Sequence, residues 1–247
     1  MHAIVLAALL AFAPQSPDRP APSDQARVQA AITQLDAAFK GTKATERIAA
    51  VQGASGLADP RVIALVAKGL KDREAAVELA AIDALGKTQH ADALAALTAF
   101  YNGEKKNLRK DTEALPRLLI AIARHANAET LPIFLDDVQG QLQSKTVTAR
   151  ILGLANIRSA RAIDSLFELM KVMGFIEQHT YAEDLRLALM VLTGEDKGRS
   201  IDAWQTWWSE HSKTFKVAAE LPKLPKPERS RWCAYWGLPL EKDADAK

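Results

Sequence analysis

From Arg73 to Lys87 the chain reads REAAVELAAIDALGK, and wound at 3.6 residues per turn it places Val77, Ala80, Ala81, Ala84 and Leu85 on one face. Leu79 and Ile82 carry the apolar surface around the side, leaving a narrow polar stripe of Glu74, Glu78 and Lys87. A helix apolar around so much of its circumference has to be covered by neighbours on at least two sides. Its alanines suit that position, because small side chains let backbones approach closely and Ala has the highest helix propensity. Asp72 is placed to cap the first turn, with Gly86 near the stop of the helix. The preceding stretch, Pro60–Leu70, predicts its partner: Val62, Leu65, Val66 and Leu70 form one stripe opposite Arg61, Lys68 and Lys71, and Pro60 suits a first-turn position.

The pattern recurs. Aligned on the end of the second helix, Gly53, Gly86, His125, Asn156 and Gly194 fall 31 to 39 residues apart, the period of helix-pair solenoids. Outer helices are expected from Arg61, Asp92, Glu129 and Arg161, and an N-terminal pair over 23–39 and 43–52. The fold class predicted is all-α, an α-solenoid of stacked antiparallel helix pairs over 23–199 whose inner helices line a shallow concave surface.

The inner-helix pattern resembles the HEAT-repeat family: an acidic residue, then Val-Arg, then spaced alanines ending in Ala-Leu-Gly, matched here by Asp72, Val77, Ala81 and the triplet ending at Gly86. The resemblance implies a right-handed, armadillo-like superhelix used as a protein-binding scaffold. Where the family has arginine after the valine, this chain has Glu78 and Thr148 in two repeats and Arg117 and Arg186 in the other two. The Asp-Arg ladder that the resemblance implies is therefore only partial.

Residues Leu192–Phe215, LTGEDKGRSIDAWQTWWSEHSKTF, resemble a cap that follows HEAT arrays in some bacterial exported proteins. Gly194 and Gly198 allow turns, Ser200 can cap a helix over 200–216, and Ile201, Trp204, Trp208 and Phe215 share a face with Trp207 beside it. Such a helix would close the apolar end of a solenoid, and the alternative is an aromatic platform for sugars or cations. Beyond it, the prolines of 221–231 predict an extended tail over 217–247. Trp232, Tyr235 and Trp236 there either dock back on the array or anchor a partner.

With 247 residues, 48% hydrophobic and 6% aromatic, the chain is long enough for one sizeable helical domain. A formal charge of +2 provides no whole-chain attraction to nucleic acid or an anionic membrane. A local basic cluster does exist: Lys105, Lys106, Arg109 and Lys110 fall in 102–111, read as a loop, with Arg117 opening the next helix at a turn also marked by Pro116. Together with Arg186 these are candidate contacts for an acidic partner or a phosphate, against the plainer reading of a solvated loop. Residues 1–13, MHAIVLAALLAFA, resemble a secretory signal peptide and 14–22 a proline-rich linker, so the expected location is outside the cytoplasm of a bacterium, with no stable membrane span after leader removal. The lone cysteine, Cys233, permits no internal disulfide.

A nucleophile elbow, a phosphate-binding glycine loop, a dinucleotide fingerprint and paired metal-ligand histidines are absent, so no catalytic residue, cofactor or metal is expected. His179 with Glu183 and Asp184 comes nearest to an acid–base or metal cluster and reads as surface. The expected function is a non-enzymatic module for a protein partner, with no nucleic acid. The alternatives are an enzyme on a HEAT-like scaffold, lyase-type or DNA-glycosylase-like, and a structural envelope component.

Overall fold

The computed structural model describes residues 22–140, 143–174 and 180–240, and every regular element among them is a helix. The leader at 1–13, the linker up to residue 21, His179 and the last seven residues lie outside the described residues. The outer layer comprises α1 (Pro22–Lys40), α3 (Pro60–Lys68), α5 (Ala91–Leu108), α7 (Leu131–Leu135) and α9 (Ala160–Met173). The inner layer comprises α2 (Ala44–Gly53), α4 (Ala75–Lys87), α6 (Ala114–Ala123), α8 (Ser144–Asn156) and α10 (Ala182–Thr193). Two further helices follow, α11 (Ile201–His211) and α12 (Lys226–Trp236).

Each inner helix packs on the next in series, α2 on α4, α4 on α6, α6 on α8 and α8 on α10, as an α-solenoid requires. The apolar surface on both flanks of each inner helix supplies the reason. Val77, Ala81 and Ile82 in α4 and Leu118, Leu119 and Ile122 in α6 are completely buried. Gly86 lies near the stop of α4, as the sequence predicts, one residue before Lys87. It lies inside the helix at the crossing with α6, where an added Cβ would sit 2.6 Å from Ala121 Cβ and 2.7 Å from its Cα. Gly153 in α8 has the same role, since a Cβ there would come 2.5 Å from Phe134 Cε1. Asp72 stands two residues before the N-cap Glu74 and accepts the Glu74 amide at 3.0 Å instead of capping the helix directly.

Three other expectations are corrected. The stretch 102–111 is not a loop: α5 continues to Leu108, whose side chain extends the buried stripe of Leu97, Phe100 and Tyr101 while the polar residues face outward. The outer helix expected from Glu129 shrinks to a 3-10 turn, Ala128–Thr130, and the five residues of α7, ended by an extended Asp136 and a left-handed Asp137 (φ 51°). The tail is extended only as far as Pro225. Pro227 sits in the first turn of α12, where its missing N–H leaves no bond unmade, and Gly237 ends the helix at φ 66°.

Buried arginines hold these elements together. Arg150, on α8 and fully buried, donates to the carbonyls of Ile133 (3.2 Å), Phe134 (2.7 Å) and Asp136 (2.8 Å), setting a cation at the negative end of the short α7. Arg47, on α2, forks onto Asp72 at the entry to α4 through Nε (2.7 Å) and Nη2 (2.9 Å). At the far end Gly194 (φ 76°) stops α10 and the Ser200 hydroxyl accepts the Ala203 amide. Trp204 Nε1 donates to the Gly198 carbonyl at 2.9 Å and Trp208 Nε1 to Asp164 Oδ1, on outer helix α9, at 2.8 Å. Trp204 and Trp208 are buried, and the half-buried Trp207 meets Phe215 edge-on with ring centres 5.3 Å apart.

Two outcomes follow from this packing. Gly86→Ala is expected to destabilise the chain by about 1–3 kcal/mol through overpacking against the α6 backbone. Gly103→Ala, in mid-α5 with nothing within 4 Å of the new methyl, is expected to stabilise it by about 0.5–1 kcal/mol, both read by urea unfolding. The second concerns acid. Burial pushes the Asp72 carboxyl up, but the Arg47 guanidinium and the Glu74 amide outweigh it and hold the group below its ordinary 3.8. The folded value being the lower one, the stability it contributes is complete above pH 3.8 and is lost as pH falls through the folded value. Arg47→Met should cost about 3 kcal/mol near neutrality and remove that acid-induced loss, measured by unfolding across the pH range.

Candidate functional site

Exposed or half-exposed positions recur every three or four residues along one side of the inner helices: Thr45, Ala49 and Gln52 on α2, Ala76, Leu79, Asp83 and Lys87 on α4, and Arg117, Ile120 and Arg124 on α6. This is the solvent-facing inner surface. Polar bonds tie it from helix to helix. Arg117 Nη1 meets Asp83 Oδ2 at 2.7 Å, and Thr148 Oγ1 donates to Asp184 Oδ2 at 2.8 Å. Arg186 is bound to Asp196 (2.5 Å) and Glu228 (2.9 Å), and Asp196 above all keeps its guanidinium more firmly protonated than usual, while the Asp196 carboxyl is held below its ordinary range. Arg117 and Arg186, both candidates for partner contact, are thus engaged within the fold.

The C-terminal aromatics lie on this same surface. Residues 216–225 run back along the array, clamped by Arg158, which donates to the carbonyls of Ala218 and Glu220, each at 2.7 Å. Helix α12 then crosses α10, α8 and α6 in turn. Its Glu228 meets Arg186 and its Arg231 is bonded to Asp184, both on α10. Tyr235 stands beside Thr148 and Ile120, and Arg124 lies over the Trp236 ring at 6.0 Å. Trp232, Cys233 and Trp236 are buried beneath the helix. Two hollows flank Tyr235, one of about 360 Å³ towards Lys145 and Thr148 and one of about 330 Å³ towards Asp83 and Lys87. The inner surface therefore has two parts, one open over α2 and α4 and one covered over α6, α8 and α10.

The basic cluster lies elsewhere and does not converge. Lys105 Nζ contacts Asp136 Oδ2 at 2.7 Å, where the Tyr101 hydroxyl also donates at 2.9 Å, and Arg109 Nε contacts Asp137 Oδ2 at 2.7 Å. Burial raises the Asp136 carboxyl, but Lys105 and Tyr101 outweigh it and keep the group ionised below its usual range. Lys106 and Lys110 are exposed and form no ion pair among the described residues. A cleft of about 630 Å³ opens next to this cluster where α7 falls short between α5 and α9, edged by Lys105, Arg161, Asp136, Asp164 and Glu168. Charges of both signs alternate around it. Among the described residues no three His, Cys, Asp or Glu side chains gather as a metal site, and no helix is long and apolar enough to cross a membrane.

Residues 32–116 match the family model for HEAT repeats. These residues are HEAT repeats. The matched stretch runs from within α1 to the first turn of α6, and α8 and α10, beyond it, pack in series on its inner helices. No curated protein matches the chain.

Several residues that organise the surface carry no local sequence signal. Arg150 and Arg158 have no partner nearby in the sequence: Arg150 meets carbonyls at the end of α7, and Arg158 meets carbonyls of the returning tail. Arg231 and Asp184 are 47 residues apart and meet only because the tail folds back as a helix. The different standing of the four basic residues yields a test. Lys106→Glu with Lys110→Glu should leave the free energy of unfolding in urea unchanged within about 0.5 kcal/mol, while Lys105→Ala should cost up to about 1 kcal/mol.

Proposed function

We propose that this chain is a non-enzymatic scaffold that binds a protein partner across the open inner surface of α2 and α4, and that it works outside the cytoplasm of a bacterium. HEAT repeats are in general protein-interaction scaffolds, and the observation that carries the reading here is the serial stacking of inner helices. It leaves a long, shallow face with small and polar side chains at regular spacing and, among the described residues, no enclosed set of convergent reactive groups. A surface of that shape engages a large partner over many weak contacts. Export rests on the apolar run at 1–13 followed by the proline-rich stretch at 14–22.

The decisive substitutions are Ala49→Arg and Ala76→Arg, both on exposed positions of the open surface. Affinity recovery from envelope extract should enrich the same partner with the parent chain and lose it with the double variant, whose circular dichroism should be unchanged. Equal recovery by both chains would refute the open surface as the binding face. Titration with double-stranded DNA at low salt should show no association, and salt-sensitive binding would count against the protein-partner reading. Amino-terminal sequencing of chain from the envelope fraction should find the leader removed.

A further inference from the structure

Helix α12 is held in the way a bound ligand is held. It lies across the inner helices instead of extending the series: two charge pairs, Glu228 with Arg186 and Arg231 with Asp184, fix it on α10. Tyr235 stands beside Thr148 of α8 and Ile120 of α6, Arg124 lies over the Trp236 ring and donates to the Trp236 carbonyl, and Trp232 and Trp236 are buried. Aromatic anchors flanked by charge pairs, presented on one helix face, are the mark of a helix seated in a groove. The fit is incomplete. Tyr235 Oη and Trp236 Nε1 are buried without a hydrogen-bond partner among the described residues, and hollows of about 360 and 330 Å³ lie on either side of Tyr235. A buried donor with no acceptor forfeits its bonds to water, so α12 binds less well than its buried area would allow. The connection to the array is a non-helical stretch bearing Pro222 and Pro225, pinned by Arg158 at Ala218 and Glu220 and by the buried Leu224, and it keeps α12 beside the groove at high effective concentration.

We propose that the inner face of α6, α8 and α10 is a helix-binding groove, that α12 is its internal occupant, and that the groove receives an amphipathic helix of a partner protein in exchange. The chemistry of that helix is set by the groove. It carries a carboxylate for Arg186, a guanidinium three residues later for Asp184, two aromatic rings four residues apart for the sites of Trp232 and Trp236, and a purely apolar ring where α12 has Tyr235. This inference goes beyond the reading of the open surface over α2 and α4 and does not depend on it.

The test uses the full chain with a protease site inserted between Ala218 and Ala219, and a fluorescein-labelled peptide spanning 224–240. By anisotropy the peptide should bind the cut chain at least about tenfold more tightly than the uncut chain, because cutting removes the tether. A Tyr235→Phe peptide should bind up to about tenfold more tightly than the parent peptide, since it buries no orphan hydroxyl. Arg186→Glu in the cut chain should abolish binding of the parent peptide, and a Glu228→Arg peptide should restore it. If the cut fragment never exchanges with excess peptide, or the remainder loses its helical circular dichroism as the fragment leaves, α12 is a fixed part of the fold and the proposal is wrong. Concentration-dependent dimerisation of the uncut chain through exchange of α12, seen by sedimentation, would assign the groove to a second copy and equally overturn the partner helix.

Discussion

Every inner helix of this protein has apolar surface on both flanks, and nothing within a single helix pair can cover both. One flank is met by the helix before and the other by the helix after, so the array grows in series and cannot close into a bundle. Packing at that interface is close enough for a glycine to be required where α4 crosses α6, with backbone rather than a pliable side chain on the other side. The same constraint leaves an unmet flank at the end of the series. There the tryptophans of α11 join the core by reaching across to the outer helix α9.

Arginine is the fastener throughout, and each kind of use has a different physical basis. Arg47 joins a carboxylate in a nearly dry setting, where loss of either partner strands a charge. Arg150 and Arg158 meet main-chain carbonyls left without partners by short or irregular segments. Arg117 meets Asp83 at the surface, where water screens the pair and its contribution is smaller, whereas Arg186 joins α10 to α12 through Glu228 in a mostly buried pair. A positive side chain on this protein is therefore a poor guide to where a partner sits. Geometry is the better guide, and it directs attention to the two parts of the inner face, one bare and one already holding a helix.

The periodic part of the fold was legible because it repeats. The spacing of Gly53, Gly86, His125, Asn156 and Gly194 locates all five inner helices, and the tryptophan helix follows from Ser200 and the aromatic spacing. What resisted reading was whatever depends on a distant segment. The stretch from Asn102 to Leu108 looks like a charged loop until Leu108 is seen to be buried, and the segment from Glu129 looks like a full outer helix until Asp136 and Asp137 turn the chain. Prolines suggested an extended tail. Yet Pro227 lies at the one helical position where proline is at home, and contacts with α6 and α10 supply the stability that the tail's own sequence lacks. The sequence marks Arg186 as a candidate partner contact, and its partners, Asp196 and Glu228, instead make it part of the fastening.

The only thiol in the chain, Cys233, lies on the underside of α12, seven per cent exposed. A water-soluble alkylating reagent can reach it only while that helix is away from the array, because the thiolate must be accessible to react. The rate of covalent labelling at this one atom thus measures how often the groove stands empty. The protein carries its own occupancy gauge, with no second sulfhydryl to confuse the signal.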